Sequence, residues 1–261
     1  MKKDWLYDVF VAHRGLHDSE KGIVENTLPA FQAAINTLEA FALAITQGAD
    51  GIELDVQLTK DGKLVVYHDD NFKRVCGIEA DVDSFDYDYI KKNVRFLANP
   101  DSSVYVPLFS EVAALCEGKT GLMIEIKKKS NGFYDYKVEE ALLKELKNYK
   151  GDFIVKSFNP YSVDFFRTQA PSYRRGFLCS KSTIDEYEPE IREKVREILF
   201  DKDKKVEFFD YGVWLLGSPL YNEVKGTMPI VVWTVTSQKD YDDNKHLFDN
   251  MIFEKFIPKE N

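Results

Sequence analysis

The chain has 261 residues, and 44 Asp and Glu against 35 Lys and Arg give it a formal net charge of -9. That balance excludes a general nucleic-acid binder, which needs a concentrated basic face; a hydrophobic fraction of 44% excludes an unstructured chain. Three cysteines, Cys76, Cys116 and Cys179, stand at spacings that fit neither a zinc site nor a disulfide framework.

Asp4 and Asp8 interrupt the chain before any long apolar run forms, and no stretch reaches the roughly 18 to 20 apolar residues of a membrane span. The expected location is therefore cytoplasmic, with no transmembrane segment. The first apolar run, 9–12, ends in His13-Arg14-Gly15. Next comes a duplication: residues 26–35 and 36–45 agree at seven of ten positions. Ten residues at about 100° each carry the second apolar stripe about 280° around a straight helix. The first helix is therefore expected to break, with Asn36 and Glu39 resembling a capping box at the restart.

The run at 52–56 is followed too soon by another at 64–67 for a parallel crossover, so the pair reads as a hairpin about Asp61-Gly62. Pairing outward from a two-residue turn sets Asp55 opposite His68, on the face that Glu53 also shares. Residues 77–106, rich in Asp, Tyr and Asn, read as an inserted cap, with Phe85, Tyr87, Tyr89 and Phe96 packing onto the rim. Further apolar runs stand at 122–126, 153–155, 176–179, 208–211, 230–235 and 251–253. Helical periodicity separates most of them, as at 138–146 and 187–199. Apart from the hairpin's second strand, these make eight β-α units and predict an α/β fold of the (β/α)₈ TIM-barrel class in a single domain. An open doubly wound sheet shows the same alternation. It would carry a glycine-rich loop after the first strand, where this chain has His13-Arg14-Gly15.

Glu53, Asp55 and Glu125 put three carboxylates on otherwise apolar strands, a costly arrangement unless they are paired or hold a cation. Oxygen-only ligands point to Mg²⁺ or Ca²⁺, with Mn²⁺ also compatible. His13 and His68 stand at strand ends, where imidazole suits proton transfer near neutral pH. Arg14 and Lys127 bring positive charge to the same mouth, suited to phosphate oxygens. His17 and His246 lack such company and are expected on the surface.

The strings V-A-H-R-G (11–15), E-N-T (25–27), G-I-E-L-D-V-Q-L-T-K-D-G (51–62), V-V-Y-H-D (65–69), I-E-I-K (124–127), K-S-F-N-P (156–160) and V-V-W-T-V (231–235) resemble the glycerophosphodiester phosphodiesterase family, in family order. The resemblance implies a (β/α)₈ barrel in which His13 and His68 act as general acid and base and Glu53, Asp55 and Glu125 bind a divalent cation. It further implies that Arg14 and Lys127 contact phosphate, that Glu25 and Asn26 support the site, and that Trp233 lines the glycerol pocket. The implied reaction releases glycerol 3-phosphate and an alcohol from a small-molecule glycerophosphodiester. Asn36 competes with Asn26 for the family asparagine position, but only Asn26 follows a glutamate. Two rival classes are a lipid phosphodiesterase, such as a lysophospholipase D, and a catalytically silent binding protein on the same barrel.

Overall fold

The computed structural model describes residues 4, 6–7, 9–35, 51–127 and 134–259. Eight parallel strands close into a barrel: β1 (Val11–Ala12), β2 (Gly51–Leu58), β4 (Gly121–Ile126), β5 (Phe153–Ser157), β6 (Arg175–Cys179), β7 (Phe208–Gly212), β8 (Ile230–Val235) and β9 (Asn250–Phe253). Closure comes from β1, which pairs in parallel with both β2 and β9. Seven of the eight expected runs lie within these strands; of the first, 9–12, only Val11 and Ala12 are strand. After the hairpin strand β3 (Leu64–Val66) come the short helices α2 (Lys73–Cys76) and α3 (Tyr87–Asn93), and helices α4 (Phe109–Cys116), α5 (Lys137–Leu146), α6 (Pro160–Gln169), α7 (Pro189–Phe200), α8 (Pro219–Val224) and α9 (Gln238–Asn244) connect successive strands from β3 onward.

Local chemistry explains the helix starts. Pro160, Pro189 and Pro219 open their helices, where proline's fixed φ is preorganised and its missing N–H is not needed. Asn159, Ser218 and Ser237 accept a first-turn backbone N–H. Along α7, Ile191, Val195, Ile198 and Leu199 form one buried stripe at helical spacing.

Barrel strands are buried on both faces, so alternate residues serve two cores. Ile52, Leu54, Val56, Leu122, Ile124 and Ile126 face outward beneath the helices. Val11, Met123, Ile154, Phe208, Val231 and Ile252 fill the barrel interior, together with Leu6 and Val9. Two positions beyond each of those interior residues, on the same face, stand His13, Glu125, Lys156, Asp210, Trp233 and Glu254. The lumen is thus apolar toward the amino ends of the strands and polar or charged toward their carboxyl ends.

The β2–β3 hairpin, with β3 at Leu64–Val66, forms in a register one residue from that expected. Leu58 pairs Leu64 and Val56 pairs Val66, so Asp55 O accepts from Tyr67 N (3.0 Å) and Tyr67, not His68, lies opposite Asp55. The cause is a three-residue loop, Lys60-Asp61-Gly62, with Gly62 in the left-handed region (φ 74°) and Thr59 N donating to Lys63 O. Residues 77–106 build a second, smaller core: Val82, Tyr87, Ile90, Val94, Phe96, Val104 and Val106 pack with Val65, Tyr67 and Phe72, and Phe85 borders them.

Residues 28–35 are helical (α1), and Phe31, Ala34 and Ile35 join the outer core. The second copy of the duplication, with the expected restart at Asn36, lies outside the described residues. Among the described residues no helix is long and apolar enough to cross a membrane.

Candidate active site

The acidic centre follows from strand register. β2 and β4 run in parallel with Asp55 beside Glu125, and Glu53 lies two residues back on the same face. All three carboxylates are buried, and one oxygen of each lies within 4.8 Å of the others. Lys127 Nζ pairs with Asp55 Oδ1 (3.0 Å) and with Glu125 Oε1. Asn26 Nδ2 donates to Asp55 Oδ2 (2.8 Å). Arg14 Nε stands 3.4 Å from Asp55 Oδ2, and Arg14 N donates to Glu53 Oε2 (3.2 Å).

The turn after β1 is what brings Arg14 here. Arg14 and Gly15 both adopt positive φ (52° and 77°), and a Cβ on Gly15 would lie 2.8 Å from the Ala30 carbonyl carbon. Only glycine lets this turn pack against α1. Asn26 also has positive φ (56°), a conformation asparagine tolerates better than most residues.

Behind the acidic centre lies a second ion group. Lys156, fully buried, reaches Asp210 Oδ2 (2.8 Å) and Glu53 Oε1 (3.3 Å). Asp210 Oδ1 has no hydrogen-bond partner, and burial pushes the Asp210 carboxyl up to about 6 against the opposing pull of Lys156. Burial likewise raises Glu125 despite Lys127, whereas at Asp55 the charges of Lys127, Arg14 and His68 outweigh burial and hold the carboxyl well below its usual range. Four buried carboxylates thus share three cationic side chains.

That donor set fits a hard divalent cation. The ligand atoms are all carboxylate oxygens, and Asp55 Oδ1 makes no hydrogen bond in spite of its ion pair with Lys127. Glu53, Asp55 and Glu125 would hold the ion.

Each strand-end histidine contacts a carboxylate through Nδ1. His68 Nδ1 lies 2.6 Å from Asp69 Oδ1, and His13 Nδ1 lies 2.8 Å from Glu254 Oε2. Gln57 sets the position of His68 by donating to the carbonyls of Tyr67 (2.8 Å) and Asp69 (2.9 Å). Glu25 accepts from Arg14 Nη1 (2.7 Å) and from Arg74 Nη2 (2.6 Å), while Arg74 Nε binds Asp69 Oδ2 (2.7 Å). Arg14, Glu25, Arg74, Asp69 and His68 therefore form one chain of contacts. Trp233 borders the apolar interior of the barrel and stands edge-on to Phe158 and Trp214 at centroid distances of 5.7 and 4.9 Å.

Lys156, Asp210, Gln57, Arg74, Asp69 and Glu254 were not singled out from sequence as site residues. Lys156 and Asp210 carried a signal, a lone charge inside an apolar strand; Arg74 carried none. His17, expected on the surface, is only 13% exposed at its side chain and lies 3.5 Å from Glu254 Oε2, because the turn after β1 folds back over β9. His246 is exposed, as expected.

Residues 36–254 match the model of the glycerophosphoryl diester phosphodiesterase family. A glycerophosphodiester phosphodiesterase of Caldanaerobacter subterraneus subsp. tengcongensis is 36% identical over 189 residues, covering 70% of this chain and 71% of that protein. Among solved structures, an Oleispira antarctica phosphodiesterase in complex with the product sn-glycerol-3-phosphate superposes with a TM-score of 0.70 at 17% identity, over 95% and 93% of the two chains. A Thermotoga maritima glycerophosphodiester phosphodiesterase gives 0.68 at 24% identity, over 94% and 93%. At these identities the structural likeness is one of fold.

Two outcomes follow from the ion groups. Lys156→Met leaves Glu53 and Asp210 buried without their shared ammonium, and should cost about 3–5 kcal/mol in urea unfolding. Most of that loss should return when Asp210→Leu is added. Burial would raise the Asp69 carboxyl, but hydrogen bonds from His68 and Arg74 hold it down, to about 2 from 3.8. Its contribution to stability is then complete above pH 4 and lost as the pH falls toward 2. Asp69→Asn should flatten the dependence of the urea midpoint on pH across that window.

Proposed function

The chain belongs to the glycerophosphoryl diester phosphodiesterase family of phosphoric diester hydrolases, and from that premise we propose that it hydrolyses glycerophosphodiesters to glycerol 3-phosphate and an alcohol, with His13 and His68 as the acid–base pair and a divalent cation held by Glu53, Asp55 and Glu125. The observation that carries this reading is the meeting of three buried carboxylates at the carboxyl ends of adjacent barrel strands, with Arg14 and Lys127 against them. In barrels of this class chemistry collects at that end of the strands.

When bound, the cation draws charge from the phosphoryl oxygens. Arg14 and Lys127, already held by Asp55, Glu25 and Glu125, present preorganised positive charge to the same oxygens as charge develops there. Asp69 and Glu254 accept at Nδ1 of their histidines, which keeps a proton on that nitrogen and leaves Nε2 to exchange protons with substrate. One imidazole takes the proton of the attacking hydroxyl, and the other protonates the departing alkoxide. Asn26 fixes the Asp55 carboxylate, and Glu25 aligns Arg14 and Arg74. Trp233 lines the glycerol side of the pocket. The chain acts as one barrel unit, with residues 77–106 as its cap.

A lipid substrate is the second reading, and one observation favours it. Phe158 (38% exposed) and Trp214 (60% exposed) stand beside Trp233, just beyond the carboxyl ends of β5 and β7, and offer an apolar lip to an acyl chain.

His13→Ala and His68→Ala should each lower kcat by about 10²–10⁴-fold with circular dichroism unchanged; full turnover in both would overturn the acid–base assignment. EDTA should abolish activity and Mg²⁺, Ca²⁺ or Mn²⁺ restore it, and Glu125→Gln should weaken that restoration. Rates on glycerophosphocholine, glycerophosphoethanolamine, glycerophosphoinositol and lysophosphatidylcholine separate the two substrate readings: faster turnover of the lysolipid would favour the lipid.

A further inference from the structure

We infer that His13, His17 and Glu254 form a second cation site on the barrel rim, separate from the carboxylate centre, which takes a late first-row divalent cation such as Zn²⁺ and thereby withdraws His13 from proton transfer. The inhibitory half of this inference rests on the role proposed above for His13; the binding half does not.

The three residues come together through barrel closure. β1 and β9 are paired strands, with His13 N donating to Phe253 O (2.9 Å), so His13 and Glu254 leave neighbouring strand ends side by side. His17 returns from the turn after β1. One ligand atom from each residue lies within 4.8 Å of the others. Glu254 Oε2 is 2.8 Å from His13 Nδ1 and 3.5 Å from His17 Nε2. Zinc–nitrogen bonds of about 2.0–2.1 Å in a tetrahedron set ligand atoms about 3.3 Å apart, and the two observed separations bracket that distance.

His17 Nε2 is buried and makes no hydrogen bond, although it faces a carboxylate. A cation seated between the two would satisfy both. The remaining Glu254 oxygen, Oε1, is 3.2 Å from Lys255 Nζ, which leaves Oε2 to the histidines. Side-chain exposures of 13%, 13% and 17% leave a way in from solvent at a fourth position.

Donor chemistry separates this group from its neighbour. Glu53, Asp55 and Glu125 offer oxygen alone and suit Mg²⁺ or Ca²⁺; two imidazoles and one carboxylate suit Zn²⁺. Binding is an exchange of ions: the proton between His13 Nδ1 and Glu254 leaves to water, the metal–nitrogen bond takes its place, and Nε2 takes up a proton from water so that the ring stays a neutral imidazole. With Nδ1 on the metal and the ring's one proton on Nε2, Nε2 has no lone pair left to take a proton from substrate. His13 is then fixed in one charge state.

The test is Zn²⁺ titration by calorimetry in excess Mg²⁺, on wild type, His17→Ala, His17→Gln and Glu125→Gln, with circular dichroism confirming the fold of each. One equivalent should bind to wild type and to Glu125→Gln, and at least tenfold more weakly to whichever His17 variants fold. Equal affinity in a folded His17 variant, or loss of the equivalent in Glu125→Gln alone, would overturn the site. In parallel, the same Zn²⁺ range should inhibit diester hydrolysis by wild type at least tenfold more strongly than it inhibits the His17 variants, each relative to its own zinc-free rate. Zinc bound at the site without inhibition would overturn the proton-transfer role of His13 and leave the metal site standing.

Discussion

Everything in this barrel is arranged around the burial of Glu53, Asp55, Glu125 and Asp210 inside a closed sheet. A carboxylate taken from water without a partner costs several kcal/mol, so four of them within one lumen demand compensation from the surrounding strands. Lys156 offsets two from below, Lys127 two from above, and Arg14 reaches in from the turn after β1. The compensation is incomplete. Asp210 Oδ1 makes no hydrogen bond, and burial raises Glu125 despite the charge of Lys127 beside it.

Much of this was legible in the residues. Each barrel strand reads as a short apolar run, and the apolar residue facing the lumen is followed two places on by a polar or charged one: Met123 then Glu125, Ile154 then Lys156, Phe208 then Asp210. A side chain there cannot turn outward, because the strand's alternation sends it to the same face as its predecessor. Glu53, Asp55 and Glu125 show the rule as a visible cluster of like charge. Lys156 and Asp210 obey the same rule, but each stands alone on its strand and lacks a partner visible in the sequence. Their partnership crosses 54 residues of chain and exists only after β5, β6 and β7 align.

What the sequence hid is mostly turn geometry. Asp61-Gly62 signals a two-residue turn and a three-residue turn equally well, and the choice shifts the hairpin by one residue. By pairing alone that shift would turn His68 away from the face of Asp55. Gln57 restores the placement, since it binds the carbonyls on both sides of His68 and fixes the segment that carries it. The contact between His13 and Glu254 spans 241 residues, and that with His17 spans nearly as many. Only ring closure, with β9 beside β1, makes such pairs, and no local pattern announces them.

The first copy of the duplication at 26–45 is tied to the site on its own. The family match begins at residue 36, at the second copy, yet the asparagine bound to Asp55 is Asn26, from the first. Asn26 is held by its own neighbours: its backbone N donates to Arg14 O (3.0 Å), and Glu25 beside it grips Arg14 and Arg74. Those contacts lie wholly before the repeat's second copy. On its far side, β2 begins in register with both β1 and β4, Gly51 against Val11 and Gly121. The second copy thus falls between two anchored segments, Asn26 with its contacts to Arg14 and Asp55 on one side and β2 in register with β1 and β4 on the other. Had the insertion fallen between Arg14 and Asn26, it would have broken the one hydrogen-bonded turn that carries Arg14 to the carboxylates.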